Sequence, residues 1–175
     1  AVEERGLLNL PTTADALPYL NDDAVKQLFE STGVLSPVEL ESRYDVYTEI
    51  YIMSIAVEAK LVIEMAKTII YPAAMRYLAK LADTDAAVGA MGITLDRSTA
   101  KTIAESANAM MAKVAELSTA FAREDFGSTD EHMQFCAKTI RPLMDQVRVH
   151  ADALEAELAD EQWPLPKYRE MLFIK

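Results

Sequence analysis

The residues able to do metal or nucleophilic chemistry are few: two histidines, one cysteine and scattered carboxylates. His132 and Cys136 stand four positions apart and so share a helix face. Paired, they would make a thiolate with an adjacent imidazole, the nucleophile-and-base arrangement of covalent catalysis. The simpler reading is that Cys136 packs as a small hydrophobe in an apolar seam while His132 lies in the polar first turn of its helix. A di-metal carboxylate site in a helical bundle needs two Glu-x-x-His pairs. Thr129 and Val147 stand where those glutamates would be, three positions before His132 and His150. A structural zinc site needs three or four Cys or His ligands, more than this chain groups anywhere. Gly89-Ala-Met-Gly92 is too sparse to cradle phosphates. No catalytic, cofactor-binding or metal-ligating residue is therefore assigned, and no cofactor is expected in these residues themselves.

Two polar side chains are expected in structural roles. At 100° per residue, Lys60, Glu64, Lys67 and Tyr71 fall within about 60° and form one polar stripe. Glu58 lies about 160° from Lys60, among Tyr51, Ile55, Val62, Met65 and Ile69. It is a candidate buried carboxylate, with tyrosines, His150, Arg141 or Arg148 as possible partners; the functional alternative is a general base. His150 falls on the seam of a later helix and is read as a core or boundary histidine. Asp152, Glu155, Glu157, Asp160 and Glu161 crowd the end of that helix, against its macrodipole. They read as a solvated face, with a nearby basic partner as the sharper alternative.

Helices must position all of these residues. Glycine is absent between Gly33 and Gly89 and between Gly92 and Gly127, and helix formers fill both gaps. Asn21-Asp22-Asp23 can cap a short first helix through about Ser31, stopped by Gly33. Ser36-Pro37-Val38-Glu39 is a strong start for a second helix that kinks at Pro72 and fades between Ala82 and Gly89. Its apolar positions are Tyr44, Tyr47, Tyr51, Ile55, Val62, Met65 and Ile69. A third helix runs from Asp96 or Ser98 to about Arg123 on the seam Ile103, Ala107, Met110, Val114, Leu117 and Phe121. A fourth starts at Ser128-Thr-Asp-Glu131 and bends at Pro142. Its seam is Met133, Cys136, Ile140, Leu143, Val147, His150, Leu154 and Leu158, and Pro164 and Pro166 end it. No strand pattern is found. The expected fold is all-α: an antiparallel bundle of three long helices, a short N-terminal helix and a docked C-terminal tail. In that tail Trp163, Tyr168, Leu172 and Phe173 are expected to dock, with Met171 and Ile174, while Lys167, Arg169 and Lys175 face outward.

The chain has 175 residues and a formal net charge of −11, and 51% of it is hydrophobic. This is ample for a core and unlike a disordered tail. Such acidity disfavours nucleic acid and anionic membranes as partners. The longest apolar run, Leu61 to Tyr71, is broken by Glu64 and Lys67, so no membrane span is expected. No signal peptide is visible at Ala1-Val-Glu-Glu-Arg5, and one cysteine fits a reducing compartment, so a cytoplasmic location is expected.

Three strings carry a resemblance. Arg5-Gly-Leu-Leu-Asn-Leu10 with Thr12-Thr-Ala-Asp-Ala-Leu-Pro18 resembles the exit from the catalytic domain of a type III glutamine synthetase. Glu39-Leu-Glu-Ser-Arg-Tyr44, Ile63-Glu-Met-Ala66 and Ile70-Tyr-Pro-Ala-Ala74 resemble the long helix opening that family's C-terminal region. Glu161-Gln-Trp-Pro-Leu-Pro-Lys-Tyr-Arg-Glu-Met-Leu-Phe173 resembles its closing segment. The resemblance implies a parent that joins glutamate and ammonia using ATP and magnesium, as a homo-oligomer of stacked rings. Its partners would be an upstream catalytic domain and neighbouring subunits. Residues 1–20 are then a lead-in from that domain and 21–175 a helical C-terminal domain, to which no family catalytic position carries over. A free-standing helical interaction module is the alternative.

Overall fold

The computed structural model describes residues 2–172. All regular structure among them is helical. In chain order come α1 (Val2–Arg5), α2 (Thr13–Ala16), α3 (Asp23–Ser31), α4 (Pro37–Met65), α5 (Tyr71–Gly89), α6 (Ser98–Phe121), α7 (Thr129–Phe135), α8 (Arg141–Glu157) and α9 (Tyr168–Leu172). Short 3₁₀ turns occupy Leu17–Asn21 and Asp160–Gln162. No helix among the described residues is long and apolar enough to cross a membrane.

Side-chain caps fix the helix starts. Ser36 Oγ accepts from the Glu39 N–H at 3.3 Å, and the Glu39 carboxylate accepts from the Ser36 N–H at 2.8 Å. This reciprocal box opens α4 and satisfies donors that the first turn would otherwise leave free. Asp22 accepts from the Ala24 N–H at 2.9 Å and opens α3. At α7, Ser128 Oγ accepts from the Glu131 N–H at 3.1 Å, but the Glu131 carboxylate reaches back one residue further, to the Gly127 N–H at 2.9 Å. A cap at Thr12 starts α2, so the N-terminal stretch carries more regular structure than its prolines suggest.

Glycine ends two of the helices. At the end of α3 the Val34 N–H reaches the Phe29 carbonyl and the Gly33 N–H the Glu30 carbonyl, with Gly33 at φ 68°. After α5 the same pattern runs from Ile93 to Val88 and from Gly92 to Gly89, with Gly92 at φ 80°. Left-handed backbone of this kind is cheap only for glycine, so Gly92, rather than Gly89, closes that helix.

Both internal prolines follow a π turn. Ala66–Ile70 joins α4 to α5 ahead of Pro72, and Cys136–Ile140 joins α7 to α8 ahead of Pro142. Proline has no N–H and its ring crowds the carbonyl four residues back, so one wider turn absorbs the misfit without ending the helix. Beyond the second of these turns the expected seam is kept at all but one buried position, beside a half-buried His150. On α8 the buried position is Met144, with Leu143 half-buried, and Val147, Leu154 and Leu158 continue the row.

The chain divides into two compact units, and each is made from two chain segments. The first comprises residues up to Glu58 together with Ala122–Pro142. Its core holds Ala14, Leu40, Tyr44, Thr48, Ile55, Met133, Cys136 and Ile140. Gln134 Nε2 donates to the Ala14 carbonyl at 2.9 Å and fastens α2 to this unit. The second unit comprises Ala59–Phe121 and the chain from Leu143 onward. Here α5 and α6 pack together, with Ala73, Ala74, Ile103, Ala107, Met110, Val114 and Leu117 buried. The α6 seam thus lies where its spacing predicts, with Phe121 half-buried at its end.

Candidate functional site

Cys136 is buried, and burial pushes its thiol above the ordinary range. It is therefore a protonated packing group. His132 is half-buried and stacks on the Phe126 ring at 4.1 Å between centroids. Burial, then the charge of Arg123, holds its pKa below 6.5. Arg123 sits 4.5 Å over Phe126 and 5.1 Å over Phe135, and bonds the Glu131 carboxylate at 2.7 Å. The expected polar first turn is thus an aromatic and cationic cluster that ties α7 to the loop before it. Arg123 and Phe126, three positions apart and just before the α7 cap, were its sequence signal.

Glu58 is exposed, which corrects the expectation of a buried carboxylate. Two apolar stripes run along α4. The inner one, Leu40, Tyr44, Thr48, Ile55 and Ala59, is buried. The outer one, Val46, Ile50, Met53, Val57 and Leu61, is exposed. Glu58 and Tyr47 lie on the shoulder between the stripes, so apolar neighbours do not imply burial there; Tyr47 too is exposed. His150 is half-buried beside the α8 seam.

Sequence reasoning missed a half-buried polar contact that joins the two segments of the first unit. The Tyr44 hydroxyl, on α4, donates to the Asp130 carboxylate at the start of α7. Burial, reinforced by Asp130, pushes the Tyr44 pKa up to about 12. The pair joins segments 86 positions apart. Spacing within either helix carries no sign of it.

Trp163 anchors the tail segment: it is 8% exposed, and its Nε1 lies buried without a hydrogen-bond acceptor. It borders a groove of about 370 Å³ walled by Ala66, Ile70, Met144, Val147, Leu165 and Pro166. Arg148 and Asp152 form an exposed pair on its rim. Lys167, expected to face outward, has only 20% of its side chain exposed and pairs with Asp160 at 2.8 Å. Leu172 and Met171, expected to dock, are 73% and 59% exposed. A five-residue helix after two prolines has too little length to return them to the core. The Tyr168 and Arg169 side chains and Phe173, Ile174 and Lys175 lie outside the described residues.

Among the described residues no three of His, Cys, Asp and Glu are grouped to hold a metal ion. The features that remain are apolar: the outer stripe of α4, the Trp163 groove, and a second groove of about 510 Å³ beside the α5–α6 turn, bordered by the Asp85–Arg97 ion pair at 2.8 Å. Surfaces of this kind bind partners.

Residues 1–88 match the family model described as glutamine synthetase C-terminal domain. The chain belongs to this family. Similarity to glutamine synthetases extends beyond the matched residues. A type-3 glutamine synthetase of Dictyostelium discoideum is 32% identical over 99% of this chain. Glutamine synthetases of Bacteroides fragilis and Butyrivibrio fibrisolvens are 28% and 29% identical over 98% and 97% of it. In each case the chain spans only 25% of the relative's length. Both the α4 cap and the π turn before Pro72 fall inside the matched residues.

Proposed function

We propose that this chain is a non-catalytic accessory domain of a glutamine synthetase, an ATP- and magnesium-dependent glutamate–ammonia ligase, and that it supports assembly or active-site architecture. The observation that carries the reading is the outer face of α4. Within a domain of this family, a row of large apolar side chains stands exposed opposite a fully packed row on the same helix. An accessory domain needs such a face to meet the rest of its enzyme. In this reading residues 1–20 lead in from a catalytic domain, which supplies the ATP and metal sites. Residues 21–175 form the helical domain, whose long helices pack as an antiparallel bundle. The partners are that domain and neighbouring subunits of a cytoplasmic homo-oligomer. The comparisons do not favour a free-standing interaction module. Incubating the purified chain with glutamate, ammonia, ATP and magnesium tests the non-catalytic role: no glutamine is expected, and glutamine above a vector-only control would overturn it. Deleting the domain from a full-length glutamine synthetase that carries it tests the assembly role. Loss of the oligomer or of activity is expected, and an intact, active oligomer would refute it.

A further inference from the structure

We infer that the outer stripe of α4 seats a second copy of this chain, docked antiparallel, helix on helix. The inference deepens the assembly role proposed above and rests on it. Val46, Ile50, Met53, Val57 and Leu61 recur at steps of three and four along one uninterrupted helix. At 100° per residue they span about 80° of its circumference. They extend about 22 Å along its axis. Each is between 49 and 60% exposed.

The charges at the two ends of the stripe select both the occupant and its direction. Arg43 stands three residues before Val46 and Glu64 three residues after Leu61. Both are exposed, and both fall within the same arc as the stripe. A parallel copy would set Arg43 on Arg43 and Glu64 on Glu64. An antiparallel copy sets each Arg43 beside Glu64 of the second copy, twice, because the arrangement is two-fold. The stripe is therefore complementary to itself in charge as well as in apolarity. The flanking Lys60 does not interrupt it, since its ammonium lies 6.0 Å over the Phe121 ring. Five side chains exposed to this degree offer on the order of 500 Å² per copy, or about 1,000 Å² in the pair, the lower bound for a specific interface. The dimer is accordingly weak and reversible.

Sedimentation equilibrium of the whole chain over a concentration series tests this, with helicity checked by circular dichroism. A monomer–dimer equilibrium is expected. Ile50→Glu should weaken it about tenfold or more by placing a charge in the stripe. Arg43→Glu should also weaken it, and Arg43→Glu with Glu64→Arg should restore it. The charge swap lies at exposed positions and keeps the test valid if Ile50→Glu impairs folding. Met53→Cys, next to the two-fold axis, should cross-link to its own copy on oxidation, while Glu58→Cys should not. A chain that stays monomeric, or a dimer indifferent to these substitutions, overturns the pairing; monomers are also the outcome if another part of the polypeptide covers the stripe. The two readings fail separately. A monomeric chain whose parent still needs this domain to assemble refutes only the α4 pairing. A dimeric chain whose parent assembles without the domain refutes only the assembly role.

Discussion

Tyr44 and His132 give the first unit a working range of pH bounded on both sides. The folded chain holds the Tyr44 proton more tightly than the unfolded chain, whose tyrosine titrates near 10. Its contribution is complete below that value and is lost as pH rises from 10 to about 12. For His132 the sign reverses: the folded chain binds the proton less tightly, so the contribution is complete above 6.5 and lost as pH falls below it. Tyr44→Phe should cost about 1–3 kcal/mol, because Asp130 loses a donor and the ring loses its only polar handle. It should also flatten the alkaline limb of stability against pH. Denaturant midpoints at neutral pH and between pH 10 and 12 check both parts. None of this was legible in the sequence. Tyr44 reads as one more apolar seam residue, and Asp130 as one acid in a capping string; only the fold brings them together.

Element by element, the sequence was more informative, because helix signals are local. The α4 capping box, the Ser128 cap of α7, the α6 seam and the Gly33 stop follow from residue types within a few positions of each other. Ser36→Ala should cost about 1 kcal/mol by freeing the first-turn donors of α4. Met110→Ala, fully buried at the middle of the α6 seam, should cost about 2–5 kcal/mol. Chemical denaturation of the two variants should therefore separate a cap from a core position by a clear difference in midpoint. What spacing could not supply was which of Leu143 and Met144 is buried just after the π turn, or which of two apolar stripes on α4 faces inward. The first error exchanged Leu143 for Met144, and the second placed Glu58 indoors. Both have the same origin: periodicity counts residues at a fixed angle per step. It does not know what lies against each face. In the tail the same limit shows. Apolar load predicted docking for the whole segment, yet Trp163 is buried and Leu172 is not. Trp163→Ala should cost about 3–5 kcal/mol, whereas Leu172→Ala should leave the midpoint unchanged.

At the scale of the molecule, the connectivity of the two units decides how the chain unfolds. Each unit is built from two segments, and the chain passes between the units after Glu58, after Phe121 and after Pro142. The first and last of these passages lie inside continuous helical stretches, α4 and the run from α7 into α8. Melting either unit alone would therefore break a helix in mid-length and create a new, uncapped helix end whose last turn loses its intrahelical bonds. A single cooperative transition is the expected outcome. The sequence supplies one natural probe for each unit. Trp163 is the chain's single tryptophan and is buried in the second unit, so its fluorescence reports there alone. Cys136 is the single cysteine and is buried and protonated in the first unit, so a thiol reagent reports there. Emission from Trp163 should begin blue-shifted, and Cys136 should begin unreactive, since the reagent needs an accessible thiolate. With rising urea both should change at the same midpoint. If Cys136 becomes reactive well before Trp163 shifts to the red, the first unit melts by itself, and the continuity of α4 through Glu58 does not couple the two.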